Sequence, residues 1–128
     1  MLPNQVNPAL ETLEGRSGRI AGIIEEMKGE RILVMDLRGI CDFTDAFVIA
    51  TVRSSTHMQA IVGVLREKLK AEGLRSLNKP DQADVRWALL DYADVIVHLF
   101  EAEARAFYDL ERLWGDAASI PWPQAARA

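Results

Sequence analysis

The chain has 128 residues, of which 49% are hydrophobic and 27% charged, enough for one domain with its own core and too apolar for intrinsic disorder. Cys41 is the single cysteine, which excludes an internal disulfide or a cysteine metal cage and fits a reducing, cytoplasmic setting. The 15 Lys and Arg set against 19 Asp and Glu leave a formal net charge of -4, so little direct RNA binding is expected and a protein is the expected partner.

No apolar run approaches the ~20 residues of a membrane span, and the first residues lack the basic start and apolar core of a signal peptide. Residues 1–17 read as a flexible or partly helical extension, with Asn7 as N-cap and Pro8 as first helical residue. From Arg19, the spacing of Ile20, Ile23, Ile24 and Met27 predicts a helix that ends at Gly29. Arg31 to Leu37 reads as a strand, and Gly39 opens an acidic loop. Ala46 to Thr51 is a second strand, whose unbroken apolar run predicts a central position covered on both faces.

Ser54 or Ser55 caps the clearest amphipathic helix, with Met58, Ile61, Val62, Leu65 and Leu69 on one stripe and Gly73 past its end. Leu74 to Leu77 is a candidate edge strand, followed by turn chemistry at Asn78-Lys79-Pro80-Asp81. Val85 to Phe100 then forms two strands joined by a tight turn at Tyr92-Ala93-Asp94. Glu101 to Trp114 reads as one helix with Phe107, Leu110, Leu113 and Trp114 as its apolar side, and with Glu101/Arg105 and Arg105/Asp109 as i,i+4 ion pairs that make Arg105 a structural residue. Residues 118–128 are expected to be a loosely ordered tail. The order predicts an α/β domain over 18–117: a mixed β-sheet of four to five strands with flanking helices.

The hairpin carries more apolar surface than one core can use. Val85, Trp87 and Leu89 alternate with Arg86, Ala88 and Leu90, while Val95, Val97 and Leu99 alternate with Ile96, His98 and Phe100. Either the domain covers both faces or one face docks a partner. Tyr92 and Asp91, placed at the turn, read as an exposed hot spot. For Trp87 core packing and partner contact both stand open, whereas Phe107, Tyr108 and Trp114 read as core.

Four segments in this order and spacing resemble the ribosomal silencing factor family, also known as the RsfS or Iojap family. They are Ile32 to Gly39, Asp45 to Thr51, Trp87 to Phe100 and Arg105 to Trp114. Ala46, Val52 and the Asn78-Lys79 pair depart from the family's usual residues. The resemblance implies a sheet similar to the nucleotidyltransferase core and a homodimer in the free state. It also implies a translation repressor that binds the large ribosomal subunit through ribosomal protein L-fourteen and sterically blocks association with the small subunit. Carried over position by position, the partner-binding residues are Trp87, Leu89, Leu90, Asp91, Tyr92 and Val95.

A nucleotidyltransferase-like sheet raises an enzyme alternative, which needs a Gly-Ser turn opening a helix and then paired carboxylates on the next strand. Here Ser54 and Ser55 follow Asp36, Asp42 and Asp45, and no Asp-x-Asp occurs. No catalysis and no cofactor are therefore expected. His57 at a helix start and His98 in mid-strand share no ligand spacing, and His98 reads as a packed, hydrogen-bonded residue. A generic dimeric adaptor that ignores ribosomes is the remaining alternative.

Overall fold

The computed structural model describes residues 7–79 and 86–122. Val85, the Pro80-Asp81 part of the predicted turn and the end of the tail lie outside the described residues. After a short 3-10 turn at Pro8–Glu11, helix α1 (Leu13–Glu26) leads into strands β1 (Glu30–Asp36) and β2 (Ala46–Val52). Helix α2 (Ser55–Ala71), the hairpin of β3 (Trp87–Asp91) and β4 (Val95–Glu101), helices α3 (Ala102–Tyr108) and α4 (Leu110–Leu113) and strand β5 (Ala118–Ser119) complete the order.

The strands form one mixed sheet in the order β3-β4-β2-β1-β5. β2 pairs parallel with β4, with Val48 opposite Val97, while the other pairs are antiparallel. All seven residues of β2 are buried, as its apolar run predicts for a central strand. The fifth strand is not Leu74–Leu77. That segment forms no ladder, and β5 instead takes the far edge beside β1, so the tail begins as ordered structure with Ile120 buried.

The starts of α1 and α2 are fixed by local chemistry. Thr12 caps α1 by accepting from the Gly15 amide at 2.9 Å, and Ser54 caps α2 by accepting from the His57 amide at 3.0 Å. α1 starts well before Arg19 despite Gly15. A Cβ at Gly15 would lie 1.7 Å from the Ala9 carbonyl oxygen, so glycine is what lets the 3-10 turn fold back onto the helix. His57 then closes the start of α2. Its Nδ1 accepts from the Arg53 amide at 3.0 Å, which leaves Nε2 to donate to the Met27 carbonyl at 2.7 Å.

The predicted helix from Glu101 to Trp114 is broken. Asp109 adopts a left-handed conformation (φ 49, ψ 54), which divides it into α3 and α4 and turns their side chains to different bearings. Two expectations fail as a result. Phe107, read as core, is 80% exposed, and Leu113, on the same expected apolar side, is 72% exposed. Arg105, read as a structural ion-pair residue with Glu101 and Asp109 as partners, is buried beside a bulge in β1 and takes other partners: its Nη1 donates to the Arg31 carbonyl at 2.7 Å and to Thr51 Oγ1 at 2.9 Å. Arg31 has φ 50 there, and Glu111 on α4 neutralises the guanidinium at 3.2 Å.

Candidate functional site

The site is built on the β3–β4 hairpin, whose two faces have different fates. Trp87 pairs with Phe100, Leu89 with His98 and Asp91 with Ile96, all on one face; Leu90, opposite Val97, is on the other. The second face is covered by α1 and α2. Leu90, Tyr92, Val95, Val97 and Leu99 join Ile20, Ile24, Ile61 and Leu65 in the larger core.

That burial corrects the expectation of an exposed Tyr92. Its ring is 2% exposed, and Leu90 and Val95 are fully buried, so none of the three offers its side chain to a partner at the surface. Tyr92 leaves the turn on the same side as Leu90 because side chains alternate along a strand. Its hydroxyl has no hydrogen-bond partner among the described residues, and burial pushes its pKa up to about 12, against the opposing charge of Arg66. Asp91 serves the turn itself: its carboxylate accepts from the Ala93 amide at 2.8 Å, supporting Ala93 at φ 71. Arg16 of α1 pairs with Asp94 and ties the turn to the helix layer.

The first face is only partly covered. Phe47, Ile49, Ile96 and Phe100 lie beneath Leu37, Leu110 and Trp114, but Leu89 is 37% exposed and Trp87 is half-buried. Trp87 lies 4.9 Å from Phe100 and 4.6 Å from Tyr108, ring centroid to centroid, and Tyr108 meets Phe107 edge-on at 5.1 Å. Beside these rings is an open cleft of about 430 Å³ lined by Arg86, Trp87, Glu103, Phe107 and Tyr108. Tyr108 too is exposed rather than core. The break at Asp109 that frees these rings carries no helix-stop residue such as glycine or proline, so periodicity alone could not find them.

His98 anchors this layer. The Trp87 indole N–H donates to His98 Nδ1 at 3.0 Å, and Phe47 meets the imidazole edge-on at 4.4 Å. With Nδ1 accepting, the neutral ring carries its proton on Nε2, which is buried without a partner among the described residues. Burial lowers the His98 pKa to about 4, so the ring is neutral at pH 7 and holds the indole as an acceptor. The packed, hydrogen-bonded His98 expected from its mid-strand place is what is found.

The outer edge of β3 is closed by the loop after α2. Asn78 accepts from the Asp91 amide at 2.7 Å and donates to the Leu89 carbonyl at 2.8 Å, while the Leu77 amide donates to the Asp91 carbonyl at 2.7 Å. One side chain thus replaces a strand partner, leaving the apolar face, not the edge, as the accessible surface. The acidic loop is dispersed. Asp36 is held by Arg38, whose hydrogen bonds lower the Asp36 pKa, and Asp42 and Asp45 are exposed. Among the described residues no group of three or more His, Cys, Asp or Glu is placed to hold a metal ion, and no helix is long and apolar enough to cross a membrane.

Known proteins resemble this chain over most of its length. A family model described as "Ribosomal silencing factor during starvation" matches residues 11–128. The ribosomal silencing factor RsfS of Bacillus subtilis is 34% identical over 97 residues, covering 76% of this chain and 82% of that protein. A chloroplastic Iojap protein of Zea mays is 34% identical over 107 residues, covering 81% of this chain and 45% of that longer protein. A crystal structure of a Chromobacterium violaceum protein superposes with a TM-score of 0.74 at 25% identity, over 91% of this chain and 95% of that one. A Bacillus halodurans structure gives a TM-score of 0.66 at 31% identity, over 75% and 90%. A mixed five-stranded sheet with the split hairpin described above, matched along nearly its whole length by these relatives, makes the chain a member of the ribosomal silencing factor family and a ribosome-associated regulator of translation.

Proposed function

We propose that the chain binds the large ribosomal subunit through ribosomal protein L-fourteen and prevents the small subunit from joining by occupying space. The observation that carries this reading is the uncovered apolar face around Leu89, Trp87, Phe107 and Tyr108, on the strand whose W-x-L-L-D-Y segment resembles the family's partner-facing segment. Leu89 and the Trp87 edge make the direct contact, with Phe107 and Tyr108 from α3. Leu90, Tyr92 and Val95 support the same hairpin from the covered side, and Asp91 sets its turn. Large rings on a pre-formed sheet lose little entropy on docking, which favours them as hot spots.

A chain of this length has a radius of gyration of about 14 Å and so stands roughly 35 Å tall. A body of that height on a joining face excludes a surface that must reach contact distance, and no bond need be made or broken. The same apolar face offers a homodimer contact in the free state, which would compete with the ribosome for it.

Co-sedimentation tests the reading, with isolated large subunits, isolated small subunits and joined ribosomes run side by side. Pelleting with large subunits alone, lost in Leu89→Asp, is the expected result. Equal pelleting with all three, or with none, rejects it.

A further inference from the structure

Helix α2 has a second side. Its buried stripe covers the sheet, while Gly63, Glu67, Lys70 and Ala71, all exposed, and the half-buried Arg66 lie along one ridge, since residues three and four apart share a helix face. Arg75 and Ser76, just beyond the helix, form the facing wall of an open groove of about 530 Å³. Arg66 and Lys70 on the helix therefore face Arg75 across it, with Glu67 as the one carboxylate among the described residues of its lining.

These cations are unspent. Arg16, Arg19, Arg38 and Arg105 each pair with an acid, and Lys68 leans on Glu26 at 3.8 Å. Arg66, Lys70 and Arg75 make no side-chain hydrogen bond or ion pair among the described residues. The helix dipole accounts for Lys70 in the last turn, but not for Arg66 a turn earlier or for Arg75 outside the helix. Gly63 adds an independent sign. Glycine weakens a helix interior relative to alanine, yet a Cβ here would meet nothing within 4 Å. The fold does not need that glycine, and its effect is to leave the groove floor open to close approach.

The lining also limits what can bind. Among the described residues no aromatic ring borders the groove, so a nucleobase finds no stacking platform there and a free nucleotide would be held by its phosphates alone. Arg66 and Lys70 are one turn apart, about 6 Å along the axis, a separation that suits successive backbone phosphates. Residues 66–79 hold five cations, Arg66, Lys68, Lys70, Arg75 and Lys79, against Glu67 and Glu72, an asymmetry hidden by the net charge of the whole chain.

We propose that the α2 groove binds the phosphodiester backbone of RNA, seating phosphates on Arg66, Lys70 and Arg75 without reading base sequence. The groove does not depend on the apolar-face reading, because α2 covers the opposite side of the sheet.

The test is fluorescence anisotropy of the full chain with a labelled, mixed-sequence single-stranded RNA, titrated between about 50 and 200 mM salt. Three phosphate contacts predict a log–log salt slope near -2, from about 0.7 per phosphate on a single strand. Arg66→Ala, Lys70→Ala and Arg75→Ala combined should flatten that slope and weaken low-salt binding about tenfold or more. Gly63→Leu should also block binding by filling the groove, without lowering the melting temperature. Leu89→Asp should bind RNA normally, which separates failure here from failure of the ribosomal-protein contact. No binding by the natural chain at low salt, an unchanged triple variant, displacement by polyglutamate, or tighter binding of ATP than of RNA would each overturn the assignment.

Discussion

Leu89 and Leu90 are consecutive leucines on one strand, and the contrast between them organises the molecule. Leu90 is sealed under α1 and α2, long amphipathic helices whose apolar stripes span the sheet. Leu89 faces a layer made by α3, α4 and the segment after them, short pieces that cover Phe47 and Ile49 but stop before the outer strand. Similar side chains thus serve folding on one face and remain available on the other. The difference arises from the length of the covering helices, not from the strand's own hydrophobicity.

Mutations can pull these faces apart, and the largest effect belongs to the covered one. Leu90→Ala leaves a cavity in a fully packed layer and should cost roughly 2 to 5 kcal/mol of stability, read by urea unfolding. His98 gives the next effect, and its sign follows from its lowered pKa. The unfolded ring takes up a proton near 6.5 while the folded one resists until about 4, so its contribution is full above 6.5 and is lost as pH falls toward 4. That window is worth up to about 3 kcal/mol. His98→Gln, which keeps an acceptor for Trp87 but cannot titrate, should show a flatter stability profile between those pH values; an unchanged profile would place the acid sensitivity elsewhere.

On the uncovered face, Leu89→Ala should weaken large-subunit binding by ~1 to 3 kcal/mol and change stability by no more than about 0.5 kcal/mol. A stability loss as large as that of Leu90→Ala would erase the distinction between the faces. The smallest effect is at Tyr92. Tyr92→Phe removes a buried hydroxyl that has no partner among the described residues and should stabilise the chain by about 1 kcal/mol with ribosome binding intact. Tyr92→Ala should instead behave as a core deletion, measured by the same unfolding curves.

Much of this architecture was legible in local pattern. The seven buried residues of β2, the stripe and Ser54 cap of α2 and the antiparallel turn at Tyr92-Ala93-Asp94 all follow from periodicity and capping chemistry. The misread parts share a cause, since each depends on contacts distant in sequence. Arg105 read as an ion-pair partner of Glu101 and Asp109, whereas the β1 bulge supplies the Arg31 carbonyl as its acceptor, and Ala118–Ser119 forms a strand only because β1 has an open edge beside it. Asn78 is similar: it read as a turn residue, and its side chain closes the edge of β3.

The amino-acid order by itself determined that the hairpin would carry two apolar faces, because alternation along a strand is a property of the backbone. Which face stays open was decided only in three dimensions. It depended on where Asp109 turns the chain, how far α3 and α4 reach across the sheet and which side α1 and α2 occupy, and each of these is settled by packing between segments that share no local signal.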